Sequence, residues 1–462
     1  MKRIFDRIAS DALLSRLARG GLWSMAIKVG GAGLSIAMTA ALAQAMDADA
    51  FGRFSFAFAL AMTASIVAGL GLQTGILRWR PEHEVDGEPH LAAAAERWGM
   101  TLTLMAGAAV LLAGAGFWIP RALGLEAFGP GARFDAAAMT GAGALAMALA
   151  VSEYIASALR ARGSTVLALA PRDVAWRAAL SGATVAIGAA GLSLSAAEAL
   201  WLAAGLLAGF ALAQALWAGF HRMHLEFDFG GDPMAAERAR ARLRQARPMW
   251  GATVLGAVSR YLDVLVLGLF VAPALTGAYF AAASIAQALM LLLVSANMVA
   301  APLIARMHRA GDAAGMQRMM KLIMAGMAPA ILVGYGLMAL LGPQLLAIFD
   351  PSYAAYSDVL LIVAAGAAFN ALGGPTGYTM QLAGQEHAFL KVMLRVYVVV
   401  AAAQFALVPV LGIYGAAVIG AAGHLGWNLW ARAICRARIG VDPTVLMFFT
   451  PAARAPRGAP AE

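Results

Sequence analysis

The chain has 462 residues, of which 61% are hydrophobic and only 13% are charged, and its mean hydropathy is +0.74. A soluble domain is about 45–50% apolar and about 25% charged, so this composition excludes a cytosolic enzyme, a disordered chain and a secreted disulfide scaffold. It predicts a polytopic membrane protein. Because Cys435 is the only cysteine, an internal disulfide is excluded. The formal charge of +9 can be interpreted only once the basic residues are assigned to one side of the membrane or the other.

The first 20 residues form a basic, amphipathic segment. The apolar run that follows is longer than the 7–15 residues of a secretion-signal core. We therefore predict an interfacial helix over 1–20 that leads directly into the first transmembrane helix.

Twelve segments are apolar enough to cross a membrane, because a spanning helix needs about 20 mostly apolar residues. The predicted spans are 21–45, 51–76, 97–119, 134–159, 166–190, 197–219, 248–271, 276–305, 318–341, 355–382, 388–410 and 412–435. The longest gap divides them into two sets of six. We predict an all-α integral membrane protein whose six-helix bundles cover 21–219 and 248–435, with a cytoplasmic linker at 220–247 and a cytoplasmic tail at 436–462.

Within this linker, Asp232 and Pro233 precede the run MAAERARARLRQAR, which is typical of a capped basic helix. Its arginines either lie against anionic lipid head groups or simply face solvent on the cytoplasmic side.

Lysine and arginine indicate the orientation, since cytoplasmic loops retain them. With the N-terminus inside, nearly all basic loop residues are cytoplasmic, and only Arg53, Arg121 and Arg133 fall on the other side. Both termini are therefore predicted to be cytoplasmic. Membrane topology then explains the net positive charge, and nucleic-acid binding is not needed to explain it. No P-loop and no metal-ligand spacing occurs in the sequence, so we predict no cofactor, no metal site and no enzyme.

Arg260 and Asp263 lie near the middle of the seventh predicted span, three residues apart and so on one helix face. A charge at the bilayer centre costs at least about 2.5–3.5 kcal/mol. One interpretation is a phosphate-binding cation held by a carboxylate that can also carry a proton. The other is an internal ion pair that locks the helix into the bundle.

Three further cations, Lys28, Arg177 and Arg395, lie in the predicted inner half of the membrane. Together they would line a cationic vestibule, and the planar guanidinium suits phosphate because it binds oxyanions bidentately. The alternative is that each one snorkels to the cytoplasmic surface. Glu153 either pairs with Arg160 or carries a proton.

Polar side chains in the second half are candidate contacts for sugar hydroxyls, namely Asn297, Asn370, Tyr378, Gln381 and Asn428. Each is equally explained by a hydrogen bond between helices. His424 either titrates or is a hydrogen-bonded packing residue.

The two halves are weakly alike. AFGRFSFAFA at 50–59 is similar to LTGAYFAAAS at 275–284, and Tyr154 and Tyr378 stand in similar surroundings. Six helices per half give corresponding helices the same orientation, which predicts a pseudo-two-fold axis along the membrane normal. The substrate path would then lie between the bundles.

Several segments resemble the multidrug/oligosaccharidyl-lipid/polysaccharide (MOP) exporter superfamily, and among them its polysaccharide-transport branch of Wzx-type flippases. The segments are the first two spans with the turn at 49–52, SRYLDVLVLGLF at 259–270, TGAYFAAASIAQ at 276–287 with Pro302 beyond it, and LLAIFDPSYAAYSDVLLI at 345–362. Gln44 departs from the pattern, since the family often has arginine there.

This resemblance implies a fold like that of the multidrug and toxic compound extrusion (MATE) transporters and a location in the cell inner membrane. It also implies translocation of an undecaprenyl-diphosphate-type oligosaccharide from the cytoplasmic leaflet to the outer leaflet for surface polysaccharide synthesis. Alternating access through a cationic central cavity would move it. The implied partners are the lipid-linked oligosaccharide, membrane lipids and a polysaccharide polymerase. The alternative functions are a proton- or sodium-coupled drug antiporter and a membrane-bound polymerase or ligase.

Overall fold

A computed structural model describes residues 12–119, 135–219 and 233–450, with side chains described outside 12–25, 233–239 and 248–249. All regular structure in these ranges is helical, which confirms the predicted all-α class. Residues 1–11 of the predicted interfacial segment, 220–232 of the predicted linker and 451–462 of the predicted tail lie outside the described residues.

The helices of the first half follow the predicted order. They are α1 (Ala12–Gln44), α2 (Ala48–Ala68), α3 (Leu72–Val85), α4 (Pro89–Ala115), α5 (Ala136–Ala161), α6 (Thr165–Ala170), α7 (Trp176–Ala189) and α8 (Ala196–Trp217). A π-helical turn, Pro171–Ala175, joins α6 to α7.

The helices of the second half are longer. They are α9 (Pro233–Phe270), α10 (Pro273–Ala286), α11 (Ala288–Arg309), α12 (Ala313–Ala347), α13 (Ser357–Leu372), α14 (Thr376–Leu382) and α15 (Glu386–Ile434). Short 3-10 helices occupy Pro351–Tyr356 and Val445–Phe448, and a π-helical turn occupies Cys435–Ile439.

Ten helices in the described ranges are long and apolar enough to cross a membrane, against twelve predicted spans. The difference arises at two places. The predicted span 166–190 is divided by the π-helical turn, so neither α6 nor α7 alone has the required length. The predicted spans 388–410 and 412–435 are joined in α15, whose only non-helical residue is Gly412, with φ 58° and ψ −141°.

The two arms of α15 pack against each other. A straight helix of its 49 residues would measure about 74 Å, more than twice the roughly 30 Å of a hydrocarbon core. Instead, the rings of Phe389 and Trp427 lie 6.1 Å apart, and Val400 packs closely against Gly423. Gly412 therefore forms the turn between two antiparallel arms.

Local sequence explains where several helices begin. Asp47 and Asp135 accept hydrogen bonds from the first turns of α2 and α5, and Ser195 forms a capping box with Glu198 at the start of α8. The second predicted span, 51–76, is interrupted between α2 and α3, where Leu70 and Gly71 both have positive φ.

The chain divides into two compact units, Met1–Tyr261 and Leu262–Glu462, and the division falls inside α9. We name them the N-terminal and C-terminal units. The predicted basic helix after Asp232 is present as the first part of α9, which continues into the seventh predicted span without a linker between them. The predicted linker 220–247 is therefore helical from Pro233 onward.

Candidate functional site

Two of the predicted cavity cations, Lys28 and Arg177, both lie beside the Asp173 carboxylate in the N-terminal unit. The Lys28 Nζ atom lies 2.9 Å from Asp173 Oδ2. Arg177 Nη1 lies 3.9 Å from the same carboxylate and donates to the backbone oxygens of Asp173 and Gly31 at 2.9 and 3.0 Å. The π-helical turn between α6 and α7 carries Asp173, so the break in this span is also what positions the counter-ion.

Gly31 permits this arrangement. A Cβ atom at this position would lie 2.6 Å from the Asp173 carbonyl oxygen and 2.9 Å from Arg177 Nη1. Because real Cβ contacts are not that short, α1 approaches the π-helical turn this closely only with glycine there. No sequence motif signals the requirement.

A second carboxylate, Glu153 on α5, lies between two arginines. It contacts Arg172 directly and lies 3.6 Å from Arg160 Nη2. Arg160 and Arg172 also interact electrostatically with Asp173, which connects the two carboxylates. The sequence pointed to Arg160 as the partner of Glu153 but placed Arg172 among the loop cations.

These side chains form one group, which we name the N-terminal charge cluster: Lys28, Glu153, Arg160, Arg172, Asp173 and Arg177. Its four cations and two carboxylates leave a net charge of +2 inside helices that are otherwise apolar. Asp173 has a side chain only 5% exposed, whereas that of Lys28 is 41% exposed. The arrangement therefore has spare positive charge and an accessible ammonium group, which is the chemistry of an anion site.

Arg260 and Asp263, the strongest candidates from the sequence, have different surroundings. Arg260 is exposed and has no ion pair among the described residues. Asp263 accepts a hydrogen bond of 2.5 Å from the Tyr279 hydroxyl and another from the Gln404 amide. Its other close neighbour is Gly420, where a Cβ atom would lie 2.7 Å from Asp263 Oδ2. Asp263 is thus held by neutral donors of the C-terminal unit.

The remaining predicted residues are spread over the C-terminal unit. Arg395 is exposed and lies over the Trp430 ring at 5.8 Å, a cation–π contact between the two arms of α15. The Asn370 side chain accepts a hydrogen bond of 3.0 Å from the Asn428 side chain, which links α13 to α15. Asn297 Oδ1 is buried without a hydrogen-bond partner in the described part of the chain.

Tyr378 and Gln381 both lie exposed on α14, three residues apart and so on one face. Gln381 donates to the Gly377 carbonyl of its own helix. His424 Nδ1 is buried and unpaired among the described residues. In the same described ranges no group of three or more His, Cys, Asp or Glu side chains is arranged to hold a metal ion.

Sequence reasoning missed a second buried group in the N-terminal unit. The Glu96 side chain is fully buried and lies 2.6 Å from Arg80 Nη1 and 2.8 Å from Arg162 Nη2. The Tyr154 hydroxyl donates to the Glu96 carbonyl at 2.9 Å. The available signal is an acidic residue inside the apolar start of α4. Arg80 and Arg162 both lie in predicted cytoplasmic loops, where topology alone explains their charge.

The comparisons with known proteins agree with this architecture. The family model described as "Polysaccharide biosynthesis protein" matches residues 17–308, well over half of the chain. No curated protein sequence matches the chain significantly.

Solved structures share the fold at low sequence identity. An inward-facing multidrug resistance MATE transporter of the MOP superfamily is 13% identical, with a TM-score of 0.69 over 89% of this chain and 97% of that one. A MATE transporter in complex with MaL6 is 16% identical, with a TM-score of 0.59 over 90% and 95% of the two chains.

A MOP superfamily transporter from Pyrococcus furiosus Vc1, described as having a binding pocket of reversed polarity, is 15% identical. Its TM-score is 0.56 over 91% of this chain and 94% of that one. These likenesses confirm the predicted MATE-like helical membrane fold. Together with the family match, they establish that the chain belongs to the polysaccharide biosynthesis protein family and has the fold of MOP superfamily transporters.

Proposed function

We propose that the chain translocates a polyprenyl-diphosphate-linked oligosaccharide from the cytoplasmic leaflet to the outer leaflet of the cell inner membrane. The observation that carries this proposal is the net charge of +2 on the N-terminal charge cluster. A diphosphate head group would pay a large desolvation cost in hydrocarbon. A group of cations with only half their charge compensated offsets that cost. The family description supports a role in polysaccharide synthesis.

Within this proposal, Arg177 and Lys28 bind the diphosphate. Arg177 is anchored by two backbone carbonyls, which fix the guanidinium plane, while Lys28, whose side chain is 41% exposed, supplies an accessible ammonium group. Arg260 and Arg395 are exposed cations, and each remains a proposed contact for the diphosphate. Tyr378 and Gln381 are exposed on one face of α14, and we propose that they contact the sugar.

The proposal is tested in liposomes that contain the purified chain and a fluorescent lipid-linked oligosaccharide. Translocation is measured as protection of the sugar from an added glycosidase. We expect Arg177→Gln to slow translocation by at least tenfold, since a charge-assisted bidentate contact contributes more than 1.4 kcal/mol. Arg78→Gln is the matched control, because Arg78 is exposed and its ion pair among the described residues is with Glu82 on its own helix. Full translocation by Arg177→Gln would refute the role of the cluster.

A drug or cation antiporter is the second candidate, and Asp263 is the observation that favours it. This carboxylate lies inside a spanning helix with no cation beside it among the described residues. In a flippase we propose that Asp263, rather than the arginine-paired Glu153, carries the coupling proton. The two functions separate on deletion of the gene: accumulated inner-leaflet lipid-linked oligosaccharide supports the flippase, and altered dye resistance with normal lipid intermediates supports the antiporter.

A further inference from the structure

Pro171 opens the π-helical turn between α6 and α7 and deprives one backbone carbonyl of its regular helical partner. In an unbroken helix, the amide of residue 171 would donate to the carbonyl of Leu167, four residues earlier. Proline has no amide hydrogen, and its ring crowds that carbonyl. Inside a helical membrane domain the carbonyl needs another donor, because an unpaired polar group is costly in hydrocarbon.

Gln214 on α8 supplies that donor. Its side-chain Nε2 atom lies 2.6 Å from the Leu167 carbonyl oxygen and 3.3 Å from that of Ala168. The Gln214 side chain is buried, and its Oε1 atom has no hydrogen-bond partner in the described part of the chain. An apolar side chain would avoid the cost of burying this unpaired oxygen. The hydrogen bonds that the amide donates are therefore what glutamine contributes at this position.

A second side chain ties the other end of the turn to the same helix. The Trp176 indole Nε1 atom donates to the Ala203 carbonyl oxygen of α8 at 2.9 Å. The two contacts on α8, at Ala203 and Gln214, are eleven residues apart, which corresponds to about 16 Å of helix. The π-helical turn is thus held against α8 both before and after its irregular residues.

Asp173 and Arg172, two members of the N-terminal charge cluster, lie within this turn. The backbone amide of Trp176 donates to the carbonyl of Pro171, five residues earlier instead of four. The additional residue rotates the helix that follows by about 100° relative to a regular helix. The distance of 2.9 Å between Asp173 and the Lys28 Nζ atom therefore depends on the turn keeping its π-helical form.

We propose that Gln214 is a positioning residue for the N-terminal charge cluster. Its side-chain amide replaces the backbone amide that Pro171 lacks, and so it holds the π-helical turn where Asp173 reaches Lys28. Without this hydrogen bond the turn shifts, and the cations of the cluster lose the position of their common counter-ion. The role concerns the cluster itself, and only its effect on transport rests on the proposed function.

The first test is a double-mutant cycle on Tm of the purified full chain. Gln214→Leu should lower Tm by about 2–4 °C, since it leaves a carbonyl unpaired. When Gln214→Leu is combined with Asp173→Ala, the total loss should be clearly smaller than the sum, because a displaced turn has already weakened the Asp173 ion pairs. Thr184→Val is the matched control: it removes buried hydrogen bonds within α7, and its loss should add to that of Asp173→Ala. Additive losses for Gln214→Leu would overturn the proposal.

Pro171→Ala tests the pairing with the Leu167 carbonyl directly. The alanine amide can donate to this carbonyl, so the further substitution should restore most of the Tm that Gln214→Leu loses. The recovery is measurable even where Gln214→Leu alone folds poorly. No recovery would show that a different contact of Gln214 accounts for the loss, and it would overturn the proposal.

Transport separates positioning from stability. In the liposome assay, Gln214→Leu should raise the KM for lipid-linked oligosaccharide about fivefold with little change in the maximal rate, since displaced cations bind the diphosphate less tightly. Thr184→Val should leave the KM unchanged. A lower maximal rate at unchanged KM would indicate only a smaller folded fraction and would overturn the positioning role. A wild-type chain that translocates no lipid-linked oligosaccharide would refute the proposed function alone, because the Tm measurements use no ligand.

Discussion

In the N-terminal unit, Asp173 forms an ion pair with Lys28 and interacts electrostatically with Arg177 and Arg172. In the C-terminal unit, Asp263 accepts hydrogen bonds from the Tyr279 hydroxyl and the Gln404 amide. Asp173 lies in the π-helical turn inside the predicted span 166–190, and Asp263 lies in a helix that is long and apolar enough to cross a membrane. The first is a shared counter-ion that holds several cations in place. The second has no counter-ion among the described residues and is hydrogen-bonded only by neutral groups.

We propose that this difference separates two tasks. On this proposal, the unit with excess positive charge binds the anionic substrate and uses its carboxylates to position the cations. The unit with the uncompensated carboxylate exchanges a proton or a cation. The comparison predicts that substitution of the buried carboxylate in the N-terminal charge cluster lowers stability, that substitution of its accessible cation affects mainly the ligand, and that substitutions around Asp263 change coupling.

The largest expected effect comes from Asp173→Ala. Removing this carboxylate leaves buried cations without their common partner, which typically costs about 3–5 kcal/mol. We expect Tm of the purified chain to fall steeply. The matched control is Glu82→Ala, which removes a carboxylate from an exposed pair with Arg78 and should cost at most about 1 kcal/mol. Similar losses of Tm in the two variants would show that Asp173 is not the centre of the cluster.

Gly420→Ala tests the surroundings of Asp263. The new methyl group would lie 2.7 Å from Asp263 Oδ2, so either the carboxylate or α15 has to move, at a cost of about 1–3 kcal/mol. We expect lower Tm and translocation that no longer responds to a pH gradient. Gly426→Ala, on the same arm of α15 with open space around it, should be neutral or stabilise by up to about 1 kcal/mol. If both variants behave alike, helix propensity rather than contact with Asp263 explains the result.

Hydropathy and charge predicted most of the fold because a membrane permits few alternatives: spans of about 20 apolar residues had to be helices. The prediction failed where local geometry does not change the hydropathy: the apolar run 166–190 was predicted as one continuous span, although Pro171 opens a π-helical turn inside it. The chain reversal at Gly412, in contrast, lies between the predicted spans 388–410 and 412–435, as the sequence predicted. Predicted partners within one stretch of chain, such as Glu153 and Arg160, are found together, whereas the pairing of Lys28 with Asp173, 145 residues apart, required the structure.

The pH dependence of stability should come partly from a third carboxylate, Asp442, outside the spanning helices. Burial alone would raise the pKa of Asp442, but hydrogen bonds from Arg432, Thr444 and Arg436 outweigh burial and hold that pKa below its usual value. A lowered pKa gives stability that is present above the unfolded pKa of about 3.9 and is lost as pH falls through the folded value. We expect a contribution of about 1.5 kcal/mol.

The measurement is Tm of the wild-type chain and of Asp442→Asn between pH 7 and pH 3. The wild-type chain should be the more stable at pH 7, and the difference should shrink toward pH 3. A difference that stays constant over this range would mean that the charge of Asp442 contributes nothing and that only its packing matters.

The smallest expected effect on stability is that of Lys28→Gln, and here the comparison between the units is sharpest. The Lys28 side chain is 41% exposed, so its pair with Asp173 is screened and should contribute less than about 1 kcal/mol. Its ammonium group should matter for the ligand instead, with translocation falling about tenfold. Lys391→Gln, at an exposed lysine of the C-terminal unit, is the control and should change neither property.

A Lys28→Gln chain that transports normally but unfolds as readily as Asp173→Ala would show that Lys28 is a structural partner of Asp173. Arg177 would then be the cation that contacts the substrate. Normal Tm with slow translocation would instead show that the most accessible cation of the N-terminal charge cluster acts on the ligand.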